Sequence, residues 1–428
     1  TGVQTCALPI WQFIALSGNT GASKGPHIHL EMHKTKSNNL CDPLNFLKSF
    51  IKDKTAPAVY SFKSYPQPGE GVFQHSPDSR IFTFDKGRFQ AWGKVGFGIR
   101  ANDHMDSVYN NYGVRYTRLY CDGKLVFASD VNNIPVSCNR MVNSWGDYDH
   151  FLHTKIWFMK SFIEPGNTLP ILRAGADRGI INFNQQRDYH LRYVVSDAFG
   201  NQTVKEFTVH GEPQAIPSVA KPEGGVPLYC KKDNRINADG VRLNIQKGLL
   251  AKDGWLLMRT VPMGNALSMG YSFSKAPYPL FNYAEINIKA KDGIRNPEKL
   301  YIAARNNAAG GGPSAYCGGI YTNGWVKGRF RELSDIYFLT SDETAPLITK
   351  MNLDPRHLFF KITDSGSGLK AYQASVDGEF ILLEFGKNKE VFFCDLTETP
   401  VQRTGKERTL KVSAVDNRDN RREFVTKI

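Results

Sequence analysis

Chemistry in this sequence concentrates in SGNTGASKGPHIHLEMH, residues 17 to 33. His27 and His29 stand two apart in a segment whose apolar residues suit a strand, and a strand sends alternate side chains to one face. Both imidazoles then point the same way. Histidine is a common neutral zinc ligand and can also orient or deprotonate a water, so such a pair can supply one ligand and one proton-handling group. Gly18, Gly21, Gly25 and Pro26 form the tight loop that delivers the strand. Spacing alone does not separate this reading from two surface histidines on an edge strand.

The whole segment closely resembles the end of the catalytic domain in lysostaphin/LytM-type zinc metallopeptidases (peptidase family M-23), whose hallmark there is Gly-x-Thr-Gly-x-Ser-x-Gly-Pro-His-x-His-x-Glu. Gly18, Thr20, Gly21, Ser23, Gly25, Pro26, His27, His29 and Glu31 all fit, and DPLNFL from Asp42 resembles the family's closing turn and helix. The resemblance spans about 40 residues. It implies that His29 is a zinc ligand and His27 the catalytic histidine, in an enzyme that hydrolyses peptidoglycan cross-links with zinc as cofactor. It also implies a His-x-x-x-Asp motif and a further histidine upstream. Here the sequence departs from the family, because no His-x-x-x-Asp occurs in the chain, and His75 to Asp78 has the wrong spacing. His33 falls on the face of His29 but roughly 13 Å along the strand, too far to share an ion. A catalytic zinc takes three protein ligands, so this chain by itself is expected to be inactive.

Other candidates are weaker. Asp149, His150 and His153 could meet a metal if helical, but an exposed amphipathic turn explains them as well. NNAAGGGPSA lacks the Gly-Lys-Ser/Thr ending of a phosphate loop, and Ser367 in DSGSG has Ser365 where a nucleophile elbow needs glycine. Asp364, Asp377 and Asp416 could bind calcium, although aspartates in turns more often cap backbone.

The elements that carry these residues read as mainly β. Short alternating runs such as VRLNIQKGLL, YHLRYVVSD and RTLKVSAVD are separated by Asp-Gly, Asn-Gly and Gly-rich turns. The best helix starts at Asp42 as N-cap with Pro43 at its first position, places Leu44, Leu47, Phe50 and Ile51 on one face, and closes the first module. An internal repeat organises the rest. Lys54-Thr55-Ala56-Pro57 returns as Glu343-Thr344-Ala345-Pro346, and each is followed by an aspartate (Asp103, Asp364), a Tyr-containing strand with an Asp-Gly turn (Asp122-Gly123, Asp377-Gly378), and Asp-x-x-x-Asn (Asp197 to Asn201, Asp416 to Asn420). The Asp-Gly turn and the closing aspartate are 75 positions apart in the first copy and 39 in the second, so the first carries an insertion that includes SWGDYDHFLHTKIWFMKSF. The expected fold is a tandem of immunoglobulin-like β-sandwich modules after the end of a LytM-type β-sheet domain. Residues 11–53 are the peptidase remnant and 55–210 a sandwich with insertion. Residues 222–342 are a β-rich module behind the linker GEPQAIPSVAKPEGG, and 343–428 a second sandwich.

Composition bounds these readings. The chain has 428 residues, 41% of them hydrophobic, enough for several cores and unlike a disordered protein. Residues 1 to 10 back-translate to a common sequencing-adapter oligonucleotide, so they are read as an assembly scar, and the gene is expected to extend upstream. No run approaches the roughly 18 apolar residues of a membrane helix, and no signal-peptide pattern opens the sequence. Cys41, Cys121, Cys138, Cys230, Cys317 and Cys394 are too scattered for a metal motif, and their number does not choose a compartment. The net charge of +13 favours an anionic neighbour, yet its Lys and Arg are mixed with acids, and no nucleic-acid motif is present. The expected partner is peptidoglycan, with an envelope protein as a further candidate and no nucleic acid. The expected place is the cell envelope, periplasmic or outer surface. The competing reading is a non-catalytic wall-binding scaffold with a degenerate peptidase domain, which would lack the upstream His-x-x-x-Asp.

Overall fold

The computed structural model describes residues 30–106, 108–264, 266–306, 314–351, 357–385, 390–395 and 407–428. It is mainly β, built as tandem sandwich modules, and Glu31–Ser341 and Asp342–Ile428 fall in separate compact units. His27 and His29 lie outside the described residues.

The first unit opens on a hairpin of β1 (Met32–His33) and β2 (Leu40–Cys41), in register Met32 to Cys41. Helix α1 (Leu44–Leu47) follows. Asp42 does cap it, accepting Leu44 N–H at 2.9 Å. The expected length fails, however. The helix has one turn, Phe50 is 83% exposed, and Leu44, Leu47 and Ile51 are only partly buried. Anchoring comes from polar groups instead. Leu40 exchanges two backbone hydrogen bonds with Ile134, both 2.8 Å, and Asn132 Oδ1 accepts Asp42 N–H at 2.9 Å. The buried Arg115 guanidinium donates to Asp42 Oδ2 at 2.5 Å and to Asp130 Oδ1 at 2.7 Å.

That docking surface belongs to a ten-stranded sheet. Its path is β4 (Arg80–Phe82), β3 (Ala58–Phe73), β5 (Arg88–Asn102), β12 (Gln202–Gly211), β11 (Asp188–Ser196), β6 (Tyr116–Cys121), β7 (Lys124–Asp130) and β9 (Leu172–Ala174). Two short strands, β8 (Met159–Lys160) and β10 (Ile181–Phe183), add to β5. The layers of this module are therefore one continuous sheet, because β5 pairs with β12 over Arg88–Ala91 and with β10 from Gly93 onward. Gly93 has φ +77, and an added Cβ would lie 2.1 Å from Glu70 O, so glycine is required where the strand changes partner. The sheet closes over phenylalanines, with Phe62 stacked on Phe207 at 4.4 Å and set edge-on to Phe89 at 5.1 Å. Each buried ring of this kind stabilises by about 1.5–3 kcal/mol relative to exposure.

The insertion forms a 3-10 turn at Val136–Met141, α2 (Val142–Trp145) and α3 (Tyr148–Thr154), and then runs along β5. It covers the second face of that strand. A Cβ at Gly96 would meet the Phe162 ring at 2.6 Å, and one at Gly98 the Tyr65 ring at 3.0 Å, which explains two glycines in a strand interior. Asp147 caps α3 and receives Lys63 Nζ at 2.6 Å and Tyr65 OH at 2.9 Å.

Residues 226–341 form a second sandwich in the same unit. One sheet runs β14 (Asn234–Ala238), β15 (Val241–Ile245), β19 (Pro279–Lys289), β23 (Trp325–Glu332) and β22 (Ile320–Thr322). The other runs β17 (Arg259–Val261), β18 (Gly270–Ser272), β24 (Ile336–Ser341), β20 (Leu300–Arg305) and β21 (Ala315–Tyr316), and β13 (Val226–Leu228) pairs with β16 (Gly254–Leu256). Strand alternation sets the core here. In WVKGRFRE, Val326, Gly328 and Phe330 are buried while Lys327, Arg329 and Arg331 are exposed. The two sandwiches meet at Gly166, whose N–H donates to Ala251 O at 2.7 Å and whose Cβ would lie 2.0 Å from Leu250 O. Beside it the buried Glu164 pairs with Lys160 at 3.2 Å and with Lys252 at 3.7 Å.

The last module packs the sheet β25 (Leu347–Met351), β26 (His357–Thr363), β30 (Val391–Asp395), β29 (Glu384–Phe385) against β28 (Glu379–Ile381), β27 (Leu369–Val376), β31 (Thr409–Asp416), β32 (Arg421–Lys427). Its second sheet repeats the order β7-β6-β11-β12 of the first module. The Asp-Gly turns occupy equivalent hairpins. Asp122 and Gly123 have φ +50 and +77, Asp377 and Gly378 φ +50 and +89, the pair of positive values a two-residue hairpin favours. Each aspartate also clamps the neighbouring strand, Asp122 through His190 N–H at 2.9 Å and Asp377 through Thr409 N–H at 2.7 Å.

Candidate functional site

Of the run that carries the peptidase resemblance, the described part begins at its end. Glu31 is exposed, and its Oε2 lies 3.1 Å from His33 Nε2, while Asn38 Oδ1 lies 3.0 Å from His33 Nδ1. The Glu31 carboxylate, followed by the Asn38 carbonyl, holds the His33 pKa above its ordinary value. Contact between positions 31 and 33 is what strand alternation predicts for two residues on one face. In the insertion, α3 is helical, but Asp149 and His153 pair with each other at 3.3 Å and His150 packs on Phe158, so the three do not converge.

Two groups of carboxylates do converge. Asp53, Asp103 and Asp197 in the first module each place a carboxylate oxygen within 4.8 Å of the others, and so do Asp342, Asp364 and Asp416 in the last. They are the same constellation in both copies of the repeat. Asp53 and Asp342 each accept the N–H of the threonine two residues on, Thr55 at 3.0 Å and Thr344 at 3.1 Å. The Asp-x-x-x-Asn landmark then closes each group. Asp197 Oδ1 accepts Phe199, Gly200 and Asn201 N–H groups, and Asn201 Nδ2 bridges Asp197 Oδ2 at 2.7 Å and Asp53 O at 3.1 Å. Asn420 likewise bridges Asp416 Oδ2 at 2.7 Å and Asp342 O at 2.9 Å.

The copies differ at the middle aspartate. In the last module the loop DSGSG turns its backbone inward, with Ser367 N–H donating to Asp342 Oδ2 at 2.7 Å and Gly366 and Gly368 N–H donating to Asp364 Oδ2 at 3.0 and 2.7 Å. Gly366 is obligatory there, since a Cβ would fall 2.3 Å from the Asp342 carboxyl carbon. Counted from the middle aspartate, Met105 and Asp106 of the first module stand where Gly366 and Ser367 do, and the position matching Gly368 lies outside the described residues. Among the described residues no donor reaches Asp53 Oδ2 or Asp103 Oδ1, although both are buried. Burial, then the charges of Asp197 and Asp53, pushes the Asp103 carboxyl up to about 6. Burial likewise raises Asp53.

A third feature is a cleft of about 740 Å³ within the first unit, between the insertion and the second sandwich, whose charged lining is Arg140, Lys155, Arg329 and Arg331 with Glu332 and Asp335. Burial first, and then the neighbouring Arg331, lowers the Arg140 pKa. The cysteines form no site. All six in the described residues are free, and burial pushes Cys121 and Cys317 to about 12. No helix among the described residues is long and apolar enough to cross a membrane.

Solved structures returned for the chain include one of a 1.5-MDa bacterial ice-binding adhesin, at 9% identity over 84% of this chain and 97% of that one with a TM-score of 0.14. Another is a Ca2+-stabilised adhesin from an Antarctic bacterium, at 10% identity over 78% and 93% with a TM-score of 0.14. No curated protein matches the sequence. Residues 226–342, the second sandwich, match the Zu5-like domain family.

Proposed function

We propose that this chain carries the closing strand and C-terminal modules of a lysostaphin/LytM-type zinc metalloendopeptidase of the cell envelope, acting on peptidoglycan cross-links. The observation that carries the reading is the run of matched positions from Gly18 to Glu31, with His27 as catalytic histidine and His29 as zinc ligand. Among the described residues no group of three brings a histidine together with other donors, and the two groups that form are all carboxylate. These do not fit a peptidase zinc, which is held by nitrogen-containing ligand sets. The role left to the described modules is positioning. Polar anchoring of residues 32–45 on the first sandwich supports it, because it ties the strand that follows the motif to a rigid body.

The test is the protein produced with any segment encoded upstream of this chain, in which the proposal expects a His-x-x-x-Asp. It should bind one zinc and release peptides from peptidoglycan, His29→Ala should lose the metal, and His27→Ala should keep the metal and lose turnover. An extended protein that is metal-free and inactive would defeat the proposal. A wall-binding scaffold is the second reading, favoured by the cleft in which four basic side chains outnumber Glu332 and Asp335, an excess that suits an anionic wall polymer. Retention on purified cell wall that is lost in Arg140→Ala/Arg331→Ala, together with that inactivity, would establish it.

A further inference from the structure

We propose that Asp53, Asp103 and Asp197 of the first module bind one calcium ion. Three carboxylates in one buried pocket repel each other and have lost water, a cost that proteins offset with donors, protons or a cation. Donors account for part of it. Asp197 accepts three backbone N–H groups at Oδ1 and Asn201 Nδ2 at Oδ2, which leaves Oδ2 able to accept a further partner, and Asp53 Oδ1 is held by Thr55 N–H. The remainder is not covered. Asp53, 8% exposed, and Asp103, 4% exposed, leave Oδ2 and Oδ1 respectively without a hydrogen bond among the described residues, inside a group whose oxygens lie within 4.8 Å of one another. His104 and Asp106 backbone N–H groups approach the pair without closing on those two atoms.

Distance and donor type select the ion. Oxygens grouped this closely can share one ion, and calcium accepts an irregular oxygen shell at about 2.4 Å, whereas magnesium needs about 2.1 Å and near-octahedral order. All-oxygen carboxylate ligation also disfavours zinc and copper, which prefer nitrogen and sulfur. Calcium takes six to eight ligands, so water completes the shell, and Asp106 stands at the rim, held by Thr55 Oγ1 at 2.6 Å. The last module serves as an internal control. Its homologous triad receives Ser367, Gly366 and Gly368 N–H groups, whereas in the first module Asp53 Oδ2 and Asp103 Oδ1 receive no hydrogen bond among the described residues, so backbone dipoles do there what a cation would do here.

The experiment uses the full chain, stripped with EDTA and titrated with CaCl2 by calorimetry, with TbCl3 luminescence as a second probe. One equivalent should bind, and saturating calcium should raise the melting temperature of the first unit by about 5 °C or more. Asp103→Asn, which removes one charge at constant shape, should melt higher than the unsubstituted chain in EDTA and gain nothing from calcium. Asp364→Asn should leave the calcium response unchanged. Absence of binding, a second equivalent lost in Asp364→Asn, or a calcium response that survives Asp103→Asn would overturn the proposal.

Discussion

Asp103 is the residue whose protonation the fold shifts most usefully. Its folded pKa of about 6 lies above the ordinary 3.8, so without metal it stabilises below pH 3.8, and that stability is lost as pH rises through about 6. The groups facing it are Asp53 and Asp197, with Asp106, His104 and Lys54 around the rim. In EDTA, denaturant melts should therefore show stability falling between pH 4 and 6 by at most about 3 kcal/mol, and Asp103→Asn should flatten that slope. A slope unchanged by the substitution would assign it to other carboxylates. Two members of each triad, Asp103 with Asp197 and Asp364 with Asp416, stand out in the sequence as repeat landmarks. Asp53 and Asp342 do not, because they sit just before the matched Thr-Ala-Pro and join the group only through the tertiary fold. Their signal is visible in retrospect as an aspartate two residues before each threonine, where its carboxylate can accept that threonine's N–H.

At the scale of elements, strands and tight turns were legible because their chemistry is local. Asp-Gly at 122 and 377 tolerates the positive φ of hairpin turns, and alternation alone places Val326 and Phe330 inside. The helix after Asp42 was legible only at its cap. Its length depends on what packs against it, and the partner of Asp42 turns out to be Arg115, 73 residues away. The insertion was visible by length but not by role, since nothing local shows that Phe162 fills the space over Gly96. Arg115 carries the anchoring, and removing one partner of a buried ion pair costs about 3–5 kcal/mol. Arg115→Ala is thus expected to release residues 32–47 from the module. Hydrogen exchange should speed up at the Leu40 and Asp42 amides while the β11 and β12 amides stay protected, and unchanged protection at Leu40 would show that the backbone bonds to Ile134 suffice.

Over the first unit as a whole, the contact between the two sandwiches had no sequence signal beyond a glycine in EPGN. Gly166→Ala would drive a methyl group into Leu250 O, and the expected outcome is two calorimetric transitions in place of one for residues 31–341. A single unshifted transition would mean that the junction yields easily. The same junction changes what the chain between Gly211 and Gly225 does. Pro217 needs no partner to hold the sandwiches together, and residues 217–221 include a run of exposed positions a protease can reach. Once Gly166, Glu164 and Arg140 hold the two bodies in register, covalent continuity through this stretch becomes dispensable. A chain nicked there should still elute as one particle and separate only in denaturant, so the two halves, expressed as separate polypeptides, should reassemble as a natural split protein.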